Sequence, residues 1–247
     1  MKKILQISMA MAKAEFILKN EGNYLGVLWY VLEPLFLLSI FLLVKKITGA
    51  DIEHYPLYLV IGLTMFNFFR KVTDSTITAI INNHYLLSNL IIPKEVFVLS
   101  TFLRVVYSHI FEIVIMLSFL LFFHMPIWYL LFYIPIFIVF SIFILGVSFF
   151  LSSISVYIND LGNLWGVFSR VLWLATPIFY SSKLELPLNI NLINPLYHFI
   201  TISRDIIIYH QAPDLKMVTI VSIESIIIFL LGFFIFQKVK PAFAENL

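Results

Sequence analysis

The chain has 247 residues, of which 61% are hydrophobic, 17% aromatic and 12% charged, against about 25% charged residues in soluble domains. Its formal net charge of +2 gives no basic surface for nucleic acid. The absence of cysteine excludes disulfides, thiolate catalysis and thiolate-held metals. With a mean hydropathy of +0.99, this composition predicts an all-α membrane protein that crosses the bilayer several times.

In chain order, Lys3 to Asn20 reads as an amphipathic helix lying on the membrane. Ile4, Ile7, Met11, Ala14 and Leu18 form one apolar stripe at helical spacing, and Leu5, Met9 and Phe16 a second. Met1 to Glu21 lacks the continuous apolar core and small-residue cleavage site of a signal peptide. Gly22 and Asn23 break this helix, which gives residues 1–22 as an interface element. The stretch LGVLWYVLEPLF from Leu25, continued to Val44, is long enough to cross a hydrocarbon core of roughly 30 Å. It carries Glu33 beside Pro34. An acid in a span is costly and proline frees the Tyr30 carbonyl, so this span should face protein or a water-filled path.

Five more spans are predicted at about 57–81, 96–123, 127–151, 164–182 and 216–238. They complete a transmembrane domain over 23–240, with 241–247 as a tail. Six crossings put both termini on one side. Lys2, Lys3, Lys13, Lys19, Lys94, Lys238 and Lys240 would then be cytoplasmic, with Lys45, Lys46, Lys183, Arg204 and Lys216 external. The loop NNHYLLSNLIIPKE over 82–95 is longer than a plain helix turn needs. Its Tyr85, Leu86, Leu87 and Leu90 suit a short helix that offers a docking surface, or one that rests on lipid headgroups. Outside, Pro195 to Tyr209 is apolar at helical spacing but too short to span. It reads as a re-entrant or interfacial helix with Arg204 and Asp205 near water.

Glu33, Arg70, Asp74, Arg104 and Arg170 fall in the cytoplasmic half of the predicted spans, and Glu112 and Glu224 in the outer half. Opposite charges at matching depth point to a paired network that locks helices, with Arg104 facing Glu33 or Asp74. A transported proton or ion is the alternative use. No P-loop, H-E-x-x-H or G-x-S-x-G motif occurs. The six histidines, His84 among them, are scattered, so no metal site is expected. No catalytic residue is assigned, although a membrane transferase using Glu33 or His198 stays conceivable.

Several stretches together resemble the permease subunits of ABC-2 type exporters, and most of all those for O-antigen, capsule and teichoic acid. They are LGVLWYVLEPLF, YLVIGLTMFNFF, the loop up to Ile92-Pro93-Lys94, DLGNLWGVFSRVLWLATPIFYSS, INPLYHFITISRD and KVKPAFAENL. They run in order over essentially the whole chain. The resemblance implies a homodimer in the bacterial inner membrane, each copy bound to a separate ATPase that carries ATP and magnesium, with no cofactor in this chain. It implies that His84, Tyr85, Leu86, Leu87 and Leu90 form the coupling helix for that ATPase. It further implies a channel along the dimer axis for a lipid-linked glycan, lined from spans one and five. Trp29, Tyr30, Glu33, Phe36, Phe168, Trp173, Phe179 and Tyr180 are its candidate wall, since ring faces stack on sugars. Export of a drug or small lipid, and a glycan-modifying membrane enzyme, are the rival readings.

Overall fold

The computed structural model describes residues 2–21, 24–48, 52–181 and 194–244, and every regular element among them is helical. The helices are α1 (Lys2–Asn20), α2 (Trp29–Thr48), α3 (Tyr55–Ile77), α4 (His84–Asn89), α5 (Glu95–Phe122), α6 (Tyr133–Ser155), α7 (Leu161–Ala175), α8 (Pro195–Ile207) and α9 (Leu215–Val239). Gly22, Asn23 and residues 182–193, with Lys183 and the first part of the predicted external segment, lie outside the described residues.

The core is built around α3. Of its 23 residues, 18 are buried, because α2, α5, α6, α7 and α8 all pack on it. Tyr55–Tyr58, Phe66–Phe69 and Phe68–Phe140 are ring contacts in or onto this helix. α1 lies along α5, and the small buried Ser8 and Ala12 let the two helices come close. Ile4, Ile7, Met11 and Glu15 share that protein-facing side, while Leu5, Met9 and Leu18 are exposed. α6 and α9 form the most extensive helix pair. They cross at Gly146 and Gly232, where a Cβ on either glycine would meet the opposite backbone. Small residues at such crossings let backbones approach.

A second apolar cluster closes the end of the bundle that carries α1 and α4. Ile80, Phe97, Val98, Phe149, Val156, Phe236 and Phe243 form it, with Met11, Leu86 and Leu87 packed against them. Both the middle of α1 and the end of α9 therefore sit at this end, which we call the near end. The far end holds the start of α3, where His54 meets Phe123, and the 210 region, where His210 meets Tyr129.

Four stretches are long and apolar enough to cross a membrane: Gly26–Leu43, Glu95–Phe122, Ile127–Ser155 and Leu215–Phe243. These coincide with four of the six predicted spans. α3 is about 35 Å long, but Arg70, Lys71 and Asp74 make it less apolar. The far boundary of the predicted span 164–182 is corrected: helix α7 ends at Ala175, and its 15 residues reach about 22 Å. Pro177 is the cause, since the residue before a proline is driven out of the helical region and Thr176 is extended, with φ −96° and ψ 130°.

Arg204 is also corrected. Expected near water, it is 2% exposed. Its Nη1 donates to the Pro177 carbonyl at 2.7 Å and its Nη2 to Ile178 at 3.0 Å. Nε and Nη2 both reach the Tyr58 carbonyl, at 3.2 and 3.0 Å, and the guanidinium carbon lies 3.3 Å from the Tyr58 ring centroid. The carbonyls left without helical partners after Ala175 thus find donors in one planar fork. Only glycine at 62 leaves room for it, since a Cβ there would stand 2.5 Å from Nη2.

Candidate functional site

At the near end, α1, α2, α3 and α5 enclose a cavity of about 260 Å³. Gly26, at φ +40°, turns the chain from α1 into α2 in a left-handed conformation that suits glycine. That turn sets Trp29, Tyr30 and Glu33 on the cavity wall beside Lys19, Lys71 and Arg104. Tyr30 is held in a ring stack, 5.9 Å from Phe16 of α1 and 5.9 Å from Phe111 of α5. Pro34, one residue beyond Glu33, is buried inside α2.

From the cavity a chain of polar side chains enters the core. Lys71 Nζ lies 3.1 Å from Glu33 Oε2 and 3.1 Å from Glu112 Oε1. His109 Nδ1 is 2.8 Å from Glu112 Oε2, and its Nε2 is 3.0 Å from the Tyr133 hydroxyl. With the proton on Nδ1, His109 donates to the carboxylate and accepts from Tyr133, so every buried group is satisfied. The imidazole stacks on Phe137 at 4.9 Å. This run links α2, α3, α5 and α6.

Predicted network residues are thereby regrouped. Glu33 pairs with Lys71, and not with Arg104. Arg104 Nε instead stands 3.2 Å from Glu15 Oε2 on α1, in a contact too poorly aligned to count as a hydrogen bond. Burial raises the Glu15 carboxyl above its ordinary pKa, with the Arg104 cation opposing that shift. The physical reason is that α1 packs along α5, so α1 supplies the counter-charge. Arg70 and Asp74 act on one another one turn apart along α3. Arg170 is exposed and bonds back to Gly166, apart from the rest. Lys71, His109 and Tyr133 were missed in sequence. The one readable signal was His109 and Glu112 at i, i+3 on a single span.

The aromatic candidates fall into three places. Trp29 lies on the cavity and is half exposed, while Tyr30 turns inward. Trp173 and Phe179 join Phe41 of α2 at ring distances of 5.9 and 5.2 Å, and Tyr180 packs on Phe179. Tyr55 and Tyr58 bond the carbonyls of Phe179 and Tyr180, which fixes this far-end cluster. Phe36 and Phe168 are exposed. They belong to apolar faces that α2 (Ile40, Leu43) and α7 (Leu164, Val167, Val171) leave uncovered.

At the near end, α4 presents His84, Tyr85 and the following Leu90 outward. Leu86 and Leu87 turn inward to the second cluster. Behind them Lys240 Nζ lies 2.6 Å from Glu95 Oε1, Gln237 Nε2 donates to the same oxygen at 2.6 Å, and Lys94 donates to the Lys240 carbonyl. Burial and the neighbouring Lys240 cation lower the Lys94 pKa.

Residues 8–208 match the family model for ABC-2 type transporters. The chain belongs to that family. It is therefore a membrane subunit of an ABC transporter, and the matched region takes in the cavity, α4 and the Arg204 fork. Among relatives, the "O-antigen export system permease protein RfbA" of Klebsiella pneumoniae is 26% identical over 235 residues, covering 93% of this chain and 90% of its own length. A Myxococcus xanthus protein of the same name is 24% identical over 251 residues, covering 96% and 94%. The likeness of this ABC-2 permease to them thus extends over nearly the full length of both chains.

Proposed function

We propose that this ABC-2 permease is the channel-forming subunit of an ATP-driven exporter that moves a lipid-linked polysaccharide across the bacterial inner membrane. The observation that carries the reading is the end-to-end likeness to two O-antigen export permeases. In this account α3 and α7 complete six crossings, the near end is cytoplasmic, and α8 is re-entrant from outside. Two copies associate, and two ATPase subunits bind α4 through Tyr85 and its neighbours. The uncovered apolar faces of α2 and α7 support association in the membrane, and their aromatic side chains supply ring faces for sugars. The chain itself holds no phosphate-binding loop, so ATP hydrolysis belongs to the partner.

Cells lacking the chain test this reading. They should accumulate a lipid-linked polysaccharide on the inner side of the membrane. Normal export of every such polymer, with retention of a drug or small lipid instead, would overturn it.

A further inference from the structure

The near-end cavity has a chemistry that helix packing alone does not require. Three cationic side chains, Lys19, Lys71 and Arg104, line it against one carboxylate, Glu33. Their counter-ions Glu15 and Glu112 are not all equally placed. Glu112 is buried behind Lys71 and held by His109, so Lys71 stays compensated if Glu33 leaves. The Glu33 side chain is 41% exposed at the mouth and can be rehydrated there. Arg104 is 15% exposed, and its buried Nε has no hydrogen-bond partner among the described residues. Leaving that N–H without an acceptor inside the protein is costly.

The field inside agrees with this count. Burial lowers the Lys19 pKa, and the Arg104 and Lys71 cations lower it further by more than Glu33 restores. An anion placed here would relieve all three cations. The volume of about 260 Å³ equals roughly nine waters of liquid, enough for a phosphate or diphosphate and too small for a glycan. Trp29 forms part of the same wall and continues outward into the exposed apolar line of Leu28, Phe36 and Ile40. A guest with both an anionic head and an apolar tail fits that arrangement.

We propose that this cavity seats the phosphate or diphosphate head of an anionic lipid, bound by Lys19, Lys71 and Arg104, and that the head displaces Glu33 from Lys71 on entering. This rests on the exporter reading insofar as that lipid is the carrier of the exported polymer. The lipid tail lies along α2 below Trp29. Glu33 then acts as a competitor for the site, which makes its role opposite in sign to that of the cations.

The test is equilibrium binding to the purified full chain in nanodiscs of neutral lipid, without ATP, ATPase or glycan. The probes are farnesyl diphosphate, inorganic pyrophosphate and farnesol. Lys19→Gln and Arg104→Gln should each weaken farnesyl diphosphate binding roughly tenfold or more, the loss expected for a charge-assisted contact. Glu33→Gln should tighten it. Farnesol should bind weakly and ignore all three changes. Pyrophosphate should follow the same order of variants at lower affinity. Lys19→Gln and Glu33→Gln lie at the cavity mouth, so they report even where Arg104→Gln fails to fold. Shifts of the same sign in these two variants, no shift in either, or farnesol binding as tightly as its diphosphate would overturn the site. Pyrophosphate binding as tightly as farnesyl diphosphate would overturn the lipid part and leave a free-phosphate site. Because no transport is measured, failure here leaves the exporter reading to its own test in cells.

Discussion

Lys71 is shared between two carboxylates whose environments differ, and that difference predicts unequal costs. The Glu112 side chain is 3% exposed and the Glu33 side chain 41%. Replacing Lys71 with Met leaves Glu112 as a buried charge facing only His109. Breaking a buried pair in this way costs about 3–5 kcal/mol. Glu33, by contrast, sits at the cavity mouth, where solvent screens the pair, so Glu33→Gln should cost under about 1 kcal/mol. Glu112→Gln alone should be severe, because the one remaining oxygen cannot accept from both Lys71 and His109, and Lys71 is left with only the partly exposed Glu33. In Lys71→Met/Glu112→Gln the stranded charges vanish together, and the double variant should recover about 1–3 kcal/mol against the sum of the singles. Thermal unfolding of the purified chain in detergent, followed by tryptophan fluorescence, measures all four. Equal losses from Glu33→Gln and Glu112→Gln, or strict additivity of the Lys71 and Glu112 changes, would refute the reasoning.

Other contacts give predictions of the same kind. Gly232→Ala drives a Cβ into the Gly146 backbone and should cost about 1–3 kcal/mol or more by overpacking, read as a lower melting temperature in detergent. Arg204→Lys should fail to rescue Arg204→Ala in the same assay, because one ammonium cannot serve the Tyr58, Pro177 and Ile178 carbonyls as a planar fork does. Tyr85→Asp, on the exposed face of α4, should abolish co-purification with the ATPase while leaving the melting temperature unchanged. Leu86→Asp places a charge against the second apolar cluster and should lower the melting temperature itself.

Hydropathy made four spans legible, because an apolar run of the right length has few other uses. Pro177 was also visible, yet the run beyond it is apolar enough to disguise the end of α7. Arg204 looked like a surface charge because its partners are backbone carbonyls, which sequence does not distinguish. The charge network was half legible. Depth along each span could be read for Glu33 and Arg104, but pairing also depends on how each helix is rotated and on which helix lies beside it. Arg104 found its acid on α1, which hydropathy places on the membrane surface. Lys71 joined α3 to α5 across a sequence gap of 41 residues, a relation that no local spacing encodes. The inward turn of Leu86 and Leu87 likewise depends on Phe243, at the opposite end of the chain.

The central claim is that this permease moves a lipid-linked polysaccharide when its ATPase turns over. Reconstituting the chain with that ATPase in proteoliposomes, and following protection of a lipid-linked glycan from an external glycosidase, measures this directly. The account predicts protection that requires ATP and is lost when the chain is omitted. ATP turnover with no movement of any lipid-linked glycan would contradict it.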